Sequence, residues 1–164
     1  MKTLLAVLAL VSVAVASPKC ALTCDSEWTL FTPSKSCYRV GYEMDWNDAE
    51  NFCVSLGAHL ASVHSEEENA FVANLASMHR SASFEDMTFI GGFSKSNTNK
   101  DWTWTDGTPY DYHNWASGQP DNMNENCLEI YSDDNNGKNL FKSQWNNEKC
   151  QNQLRAFVCK KKAH

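Results

Sequence analysis

Oxygen donors of the kind that bind hard cations cluster in the second half of the chain: Gln119, Asp121, Glu125 and Asn126 close together, then Asn146 and Asn147. Calcium takes roughly six to eight oxygens from carboxylates, amides, carbonyls and water, so this mixture of acids and amides is a calcium ligand set. Asn and Asp are also the residues of polar turns, so the cluster alone fits either a metal site or a loop. Other constellations are weaker. No G-x-S-x-G elbow occurs, and His59 and His64 lack the intervening Glu of an H-E-x-x-H zinc helix, so hydrolase chemistry is not expected. His59 and His64 read as strand or cap residues, and His79, His113 and His164 as surface. Asp133-Asp134-Asn135-Asn136-Gly137 opens like an EF-hand loop, but its ligand spacing fails at Gly137 and a hairpin turn is the better reading.

The elements that position the cluster can be read from periodicity. A strand is expected at Cys37–Val40, followed by a helix opened by Asp45, with Trp46, Ala49, Phe52, Cys53 and Leu56 on one face and Gly57 as its stop. A second helix starts at the capping box Ser65-Glu66-Glu67-Glu68 and buries Phe71, Val72, Leu75 and Ala76; the acidic run reads as a charged helix start. Beyond Arg80 come short strand-like pieces: Phe89–Gly92, Trp102–Thr105, Cys127–Tyr131, Leu140–Trp145 and Ala156–Lys160. Helices first and strands later predict an α+β fold. The irregular Gly, Pro and Asn-rich stretch from Asp106-Gly107 to Asn126 is too long for a hairpin, and such loops in compact domains are usually functional.

The chain has 164 residues, 42% hydrophobic and 12% aromatic, which suits one globular domain rather than a disordered chain. Its formal charge is -6, and its one basic run is Lys160-Lys161-Lys162, so nucleic acid and anionic membranes are poor partners. Residues 1–16 read as a secretory signal with cleavage after Ala16, and no segment is long and apolar enough to span a membrane. A secreted chain meets an oxidising compartment, so its seven cysteines form a disulfide framework rather than a metal cluster; spacing alone leaves the pairing open. No N-x-S/T sequon is present.

Ordered landmarks carry a family resemblance: Ala49 and Cys53 in the first helix, Leu60-Ala61-Ser62, Phe89-Ile90-Gly91-Gly92, Trp102 to Gly107, Asn114-Trp115, Gln119-Pro120-Asp121, Glu125-Asn126-Cys127, Trp145-Asn146-Asn147, Cys150 and Phe157-Val158-Cys159. Over residues 24–160, after an N-terminal segment 17–23, the chain resembles the C-type lectin-like domain family. The resemblance implies two helices packed on short antiparallel sheets with a long irregular ligand-binding loop. It implies bridges Cys24–Cys37, Cys53–Cys159 and Cys127–Cys150. Cys20 is left over, which suggests a disulfide-linked homodimer.

By the same resemblance, Gln119, Asp121, Glu125, Asn146 and Asn147 surround one Ca²⁺ that also coordinates two neighbouring hydroxyls of a sugar, with Pro120 in a cis peptide bond. Acids accept the hydroxyl protons and amides donate to the hydroxyl oxygens, so the mixture orients a sugar where acids alone would not. The Gln-Pro-Asp order implies galactose or N-acetylgalactosamine, on cell-surface glycans or glycoproteins. Two residues depart from the pattern. Asn147 replaces the usual Asp and removes a negative charge, and Met123 stands where galactose binders often carry a Trp that stacks on the sugar. An auxiliary calcium site is not expected, with Ser94, Asn122 and Asn126 where acids are usual. Trp115 is expected in the core. The implied function is calcium-dependent carbohydrate binding without catalysis; the alternative is a lectin-like domain that recognises a protein, another glycan or ice without calcium.

Overall fold

The computed structural model describes residues 21–79, 83, 86–96, 98–134 and 141–164. Within them lie β1 (Thr29–Phe31), β2 (Ser36–Met44), α1 (Trp46–Ser55), β3 (His59–Leu60), α2 (Glu66–Ala76), β4 (Thr88–Ser94), β5 (Trp102–Trp104), β6 (Cys127–Ile130), β7 (Trp145–Glu148) and β8 (Leu154–Lys162). The expected signal at residues 1–16, most of the segment 17–23, and Cys20 with the dimer expected of it, lie outside the described residues.

The fold is α+β. The strands form one sheet in the order β1-β2-β8-β4-β6-β7, with β3 on β8 and β5 on β4. Every pair is antiparallel except β4 with β8, where Phe89 stands beside Phe157. Three disulfides, Cys24–Cys37, Cys53–Cys159 and Cys127–Cys150, join the pairs that the family resemblance implies. Cys53–Cys159 spans a sequence separation of 106, for which the chain-entropy model gives about 4.7 kcal/mol.

Both helices start where their caps stand. Asp45 accepts from the Asp48 N–H at 2.9 Å, and Ser65 Oγ accepts from the Glu68 N–H at 3.1 Å. Helix α1 buries Trp46, Ala49 and Cys53, and Gly57 follows its end with φ 68°, which costs a glycine little. Helix α2 buries Val72, Ala73 and Ala76, while Phe71 and Leu75 are half-buried; Phe71 stacks on Phe31 with centroids 4.6 Å apart.

One expected strand needs correction, and two acidic residues have buried partners that the sequence does not show. Glu68 lies in the acidic first turn of α2 as expected, and it is buried: it is 2% exposed, accepts from the His64 N–H at 2.8 Å, and pairs with Lys160 Nζ at 2.6 Å and the Tyr38 hydroxyl. Asp133 is likewise buried, taking the Met78 and His79 N–H groups at 2.8 and 2.9 Å and so holding the chain that leaves α2; Asn135 to Gly137 lie outside the described residues. The strand expected at Leu140–Trp145 begins where that stretch ends. Phe141 to Gln144 form a turn with Ser143 at φ 74°, and the pairing strand is the polar Trp145-Asn146-Asn147-Glu148.

Candidate functional site

The long loop is fastened to the sheet at both ends. At its start, Asn114 O accepts from the Trp145 N–H at 2.8 Å and the Ala116 N–H donates to Trp145 O at 2.9 Å, so this stem lies along β7. At its end, Cys127 enters β6, and β6 pairs with β7 so that Leu128 faces Asn147 and Glu129 faces Asn146. Trp145 is the anchor. Its ring meets Trp104, Tyr112 and Trp115 edge-on, and its indole N–H donates to Asn69 of α2 at 2.7 Å. Trp115, expected in the core, is half-buried against Trp102 and Trp145.

Of the residues singled out by sequence, contacts join Gln119, Asp121 and Glu125 of the loop with Asn147 of β7. The Gln119–Pro120 bond is cis, as expected, and the Asp121 N–H donates to Gln119 Oε1 at 3.1 Å. Asp121 is exposed, Glu125 half-buried, and Asn146 and Asn147 buried. Burial, then the negative charges of Glu148 and Asp121, push the Glu125 carboxyl above its ordinary value, against the pull of the Asn122 amide 2.9 Å away. Met123 projects from the loop, 61% exposed.

Asn146 and Asn147 differ in their surroundings. Asn146 Nδ2 donates to Glu129 Oε1 at 2.6 Å, while Asn146 Oδ1, buried, has no donor among the described residues. Asn147 has both ends of its amide engaged by loop backbone: Nδ2 donates to Asn122 O at 2.8 Å and Glu125 O at 3.0 Å, and Oδ1 accepts from the Asp121 N–H at 3.2 Å. Glu129, the partner of Asn146, is a residue that sequence reading did not single out. It is 1% exposed, its Oε2 has no donor among the described residues, and burial pushes its carboxyl well above the ordinary value. The available signal was an acid between Leu128 and Ile130 in a strand whose four residues are all buried.

Whether calcium fits can be tested on these groups. Among the described residues no three His, Cys, Asp or Glu side chains stand together as a metal cluster, so a cation here needs amide oxygens too. Asn146 Oδ1, a buried acceptor lacking a donor, and the mutually repelling Asp121 and Glu125 carboxylates fit that need. Ser94, which stands where the auxiliary site of the family carries an acid, donates from Oγ to Asp101 at 2.7 Å.

A second concavity, of about 710 Å³, lies beside β8 and is lined in part by His64, Glu68, Asp106 and Lys160. At its wall, His64 Nε2 stands 3.1 Å from Ser62 Oγ and His64 Nδ1 2.7 Å from Asp111, in the order of a nucleophile, base and orienting acid. The chemistry does not follow. Ser62 is fully buried and its hydroxyl donates to Asp106 at 2.5 Å, so it has neither access to a substrate nor a proton to give His64.

Residues 42–161 match the family model of the lectin C-type domain. A C-type lectin lectoxin of Thrasops jacksonii is 35% identical over 84% of this chain and 82% of its own length. The galactose-specific lectin nattectin of Thalassophryne nattereri is 33% identical over 85% of this chain and 80% of its own. The crystal structure of a calcium-independent type II antifreeze protein superposes with a TM-score of 0.70 at 30% identity, covering 88% of this chain and 98% of that one.

Proposed function

From the premise that the chain belongs to the C-type lectin domain family, a carbohydrate-binding and non-enzymatic fold, we propose that it binds galactose-type glycans at the long loop in a calcium-dependent manner. What supports this reading is a pair of loop carboxylates, Asp121 and Glu125, whose charges oppose each other, together with the buried Asn146 oxygen on β7 that has no donor among the described residues. Gln119, Asp121, Glu125 and Asn146 would hold the ion, with Asn147 behind them. A bound Ca²⁺ supplies coordination positions for two neighbouring sugar hydroxyls. Asp121 and Glu125 accept the hydroxyl protons, and the Gln119 amide donates to a hydroxyl oxygen. Gln119-Pro120-Asp121 and the likeness to a galactose-specific lectin support the galactose preference; exposed Met123 offers an apolar contact in place of an aromatic platform.

Residues 1–16 support secretion, and no helix among the described residues is long and apolar enough to cross a membrane. The ligands in this reading are glycans of cell surfaces or glycoproteins.

A second reading is favoured by one observation, the backbone engagement of Asn147, which takes the side chain usually acidic here away from any ion. In it, the long-loop surface recognises a protein, another glycan or ice without calcium. Calorimetric titration with Ca²⁺, followed by glycan binding with and without EDTA, separates the two. Saturable calcium binding with EDTA-sensitive glycan capture that free galactose competes supports the first reading. No calcium binding at millimolar concentration, with capture unaffected by EDTA, retires it.

A further inference from the structure

Asn147 is fully buried on β7, yet every polar atom of its side chain meets the backbone of the long loop. The two hydrogens of its NH₂ go to Asn122 O and Glu125 O, and its oxygen receives the Asp121 N–H. Reversing the amide would set NH₂ against N–H and oxygen against two carbonyls, so the three contacts fix its orientation together.

The contacts form a closed set. The Glu125 N–H donates to Asn122 O at 3.1 Å, the Asn124 N–H to Asn122 Oδ1 at 3.0 Å, and Asn122 Nδ2 to Glu125 Oε1 at 2.9 Å. Two carbonyls converging on one atom need a donor or a cation there. An Asp at this position would bring a negative oxygen to those carbonyls, and in a buried setting that repulsion persists unless a cation neutralises it.

We propose that Asn147 holds the long loop in its binding shape through these three hydrogen bonds, as a positioning residue, so that the loop keeps its order without a metal ion. The proposal rests on the reading of the long loop as the ligand-binding face. It assigns calcium a role in sugar contact and none in building the loop. The substitution Asn147→Asp exchanges a loop fastened by hydrogen bonds for one fastened by metal.

The test is hydrogen exchange at residues 119–126 of the full chain, in EDTA and in saturating Ca²⁺, read by mass spectrometry with melting curves on the same samples. The wild-type loop is expected to be protected already in EDTA, with Ca²⁺ adding only the protection that ion binding itself confers. Asn147→Asp is expected to exchange at least about tenfold faster in EDTA and to recover protection in Ca²⁺, a rescue that a general packing defect would not show. Asn147→Ala exchanges faster in both conditions. A wild-type loop that is unprotected in EDTA and gains protection with Ca²⁺ overturns the proposal, as does an Asn147→Asp loop as protected in EDTA as wild type. The wild-type comparison stands even where a variant does not fold. No sugar enters the measurement, so failure of the galactose reading leaves its outcome intact, and the reverse also holds.

Discussion

Asn69 and Trp145, far apart in sequence, are joined by a hydrogen bond of 2.7 Å between the indole N–H and Asn69 Oδ1, with both side chains inside the core. The other end of the same amide donates to Ser143 O at 2.8 Å, so one side chain of α2 fixes the turn before β7 and the first residue of that strand. Asn69→Ala is expected to cost about 1–3 kcal/mol, because it leaves the indole N–H buried without an acceptor. Denaturant unfolding measures the loss, and exchange at residues 145–147 should speed up with it. A variant as stable as wild type would mean that Trp145 is held by ring packing alone.

Glu125→Gln keeps the size of the side chain and removes the charge that its neighbours already oppose. Glu125 is half-buried and its carboxyl is pushed up by burial, then by Glu148 and Asp121, so the fold is expected to melt unchanged or slightly higher. Calcium binding and EDTA-sensitive glycan capture are expected to disappear. Calorimetry beside a melting curve separates the two effects; calcium affinity unchanged in the variant would remove Glu125 from the site.

Glu129 makes a prediction with a sign in pH. Burial first, then the charges of Glu148 and Glu125, raise its carboxyl well above the ordinary value of 4.5, while the Asn146 amide pulls the other way. A carboxyl raised in the folded state supports the fold in its protonated form. That support is complete below the unfolded value and is lost as pH rises through the raised one. Glu129→Gln is neutral throughout, and its NH₂ can donate to the Asn146 oxygen that has no donor among the described residues. Melting in EDTA should therefore show a gain over wild type that widens from acid to alkaline pH. A pH-independent difference would count against it.

Much of this fold is legible in the sequence because local chemistry and packing agree. Asp45 and Ser65 cap helices that a 3.6-residue period had already located, and Trp102-Thr103-Trp104 alternates as a half-buried strand does. The disulfides follow the family pattern, whereas cysteine spacing alone could not pair them. The failures fall on polar residues whose partners come from distant chain. Trp145-Asn146-Asn147-Glu148 lacks β-formers beyond its first residue, yet it pairs along its whole length with β6. Glu68 sits in a capping box that reads as a charged helix start, and only the approach of Lys160 and Tyr38 from β8 and β2 shows why it is inside. Sequence reading singled out Gln119, Asp121, Glu125, Asn146 and Asn147 as one ligand set, but not the direction of the Asn147 amide. That depends on where Asn122 O and Glu125 O arrive, which the loop path decides.

The pairing of Lys160 with Glu68 supports a last prediction. The side chains are 12% and 2% exposed, and Lys160 Nζ also donates to Ser62 O at 3.0 Å and Ser62 Oγ at 3.2 Å, so all three of its donors are engaged. The Tyr38 hydroxyl donates to Glu68 as well; burial, then the Glu68 charge, keep that phenol protonated. Removing one partner strands the other charge inside the fold. Lys160→Met is therefore expected to cost about 3–5 kcal/mol, because Glu68 keeps a buried carboxylate with only neutral partners. Replacing both, as Lys160→Met with Glu68→Leu, leaves no charge to solvate and should recover much of that loss. The double variant also frees the Tyr38 hydroxyl from its carboxylate, although Ser34 Oγ, 3.0 Å away, remains as a partner. Unfolding free energies of both single variants and the double variant close the cycle, and a double variant no more stable than Lys160→Met would show that the pair does more than neutralise itself.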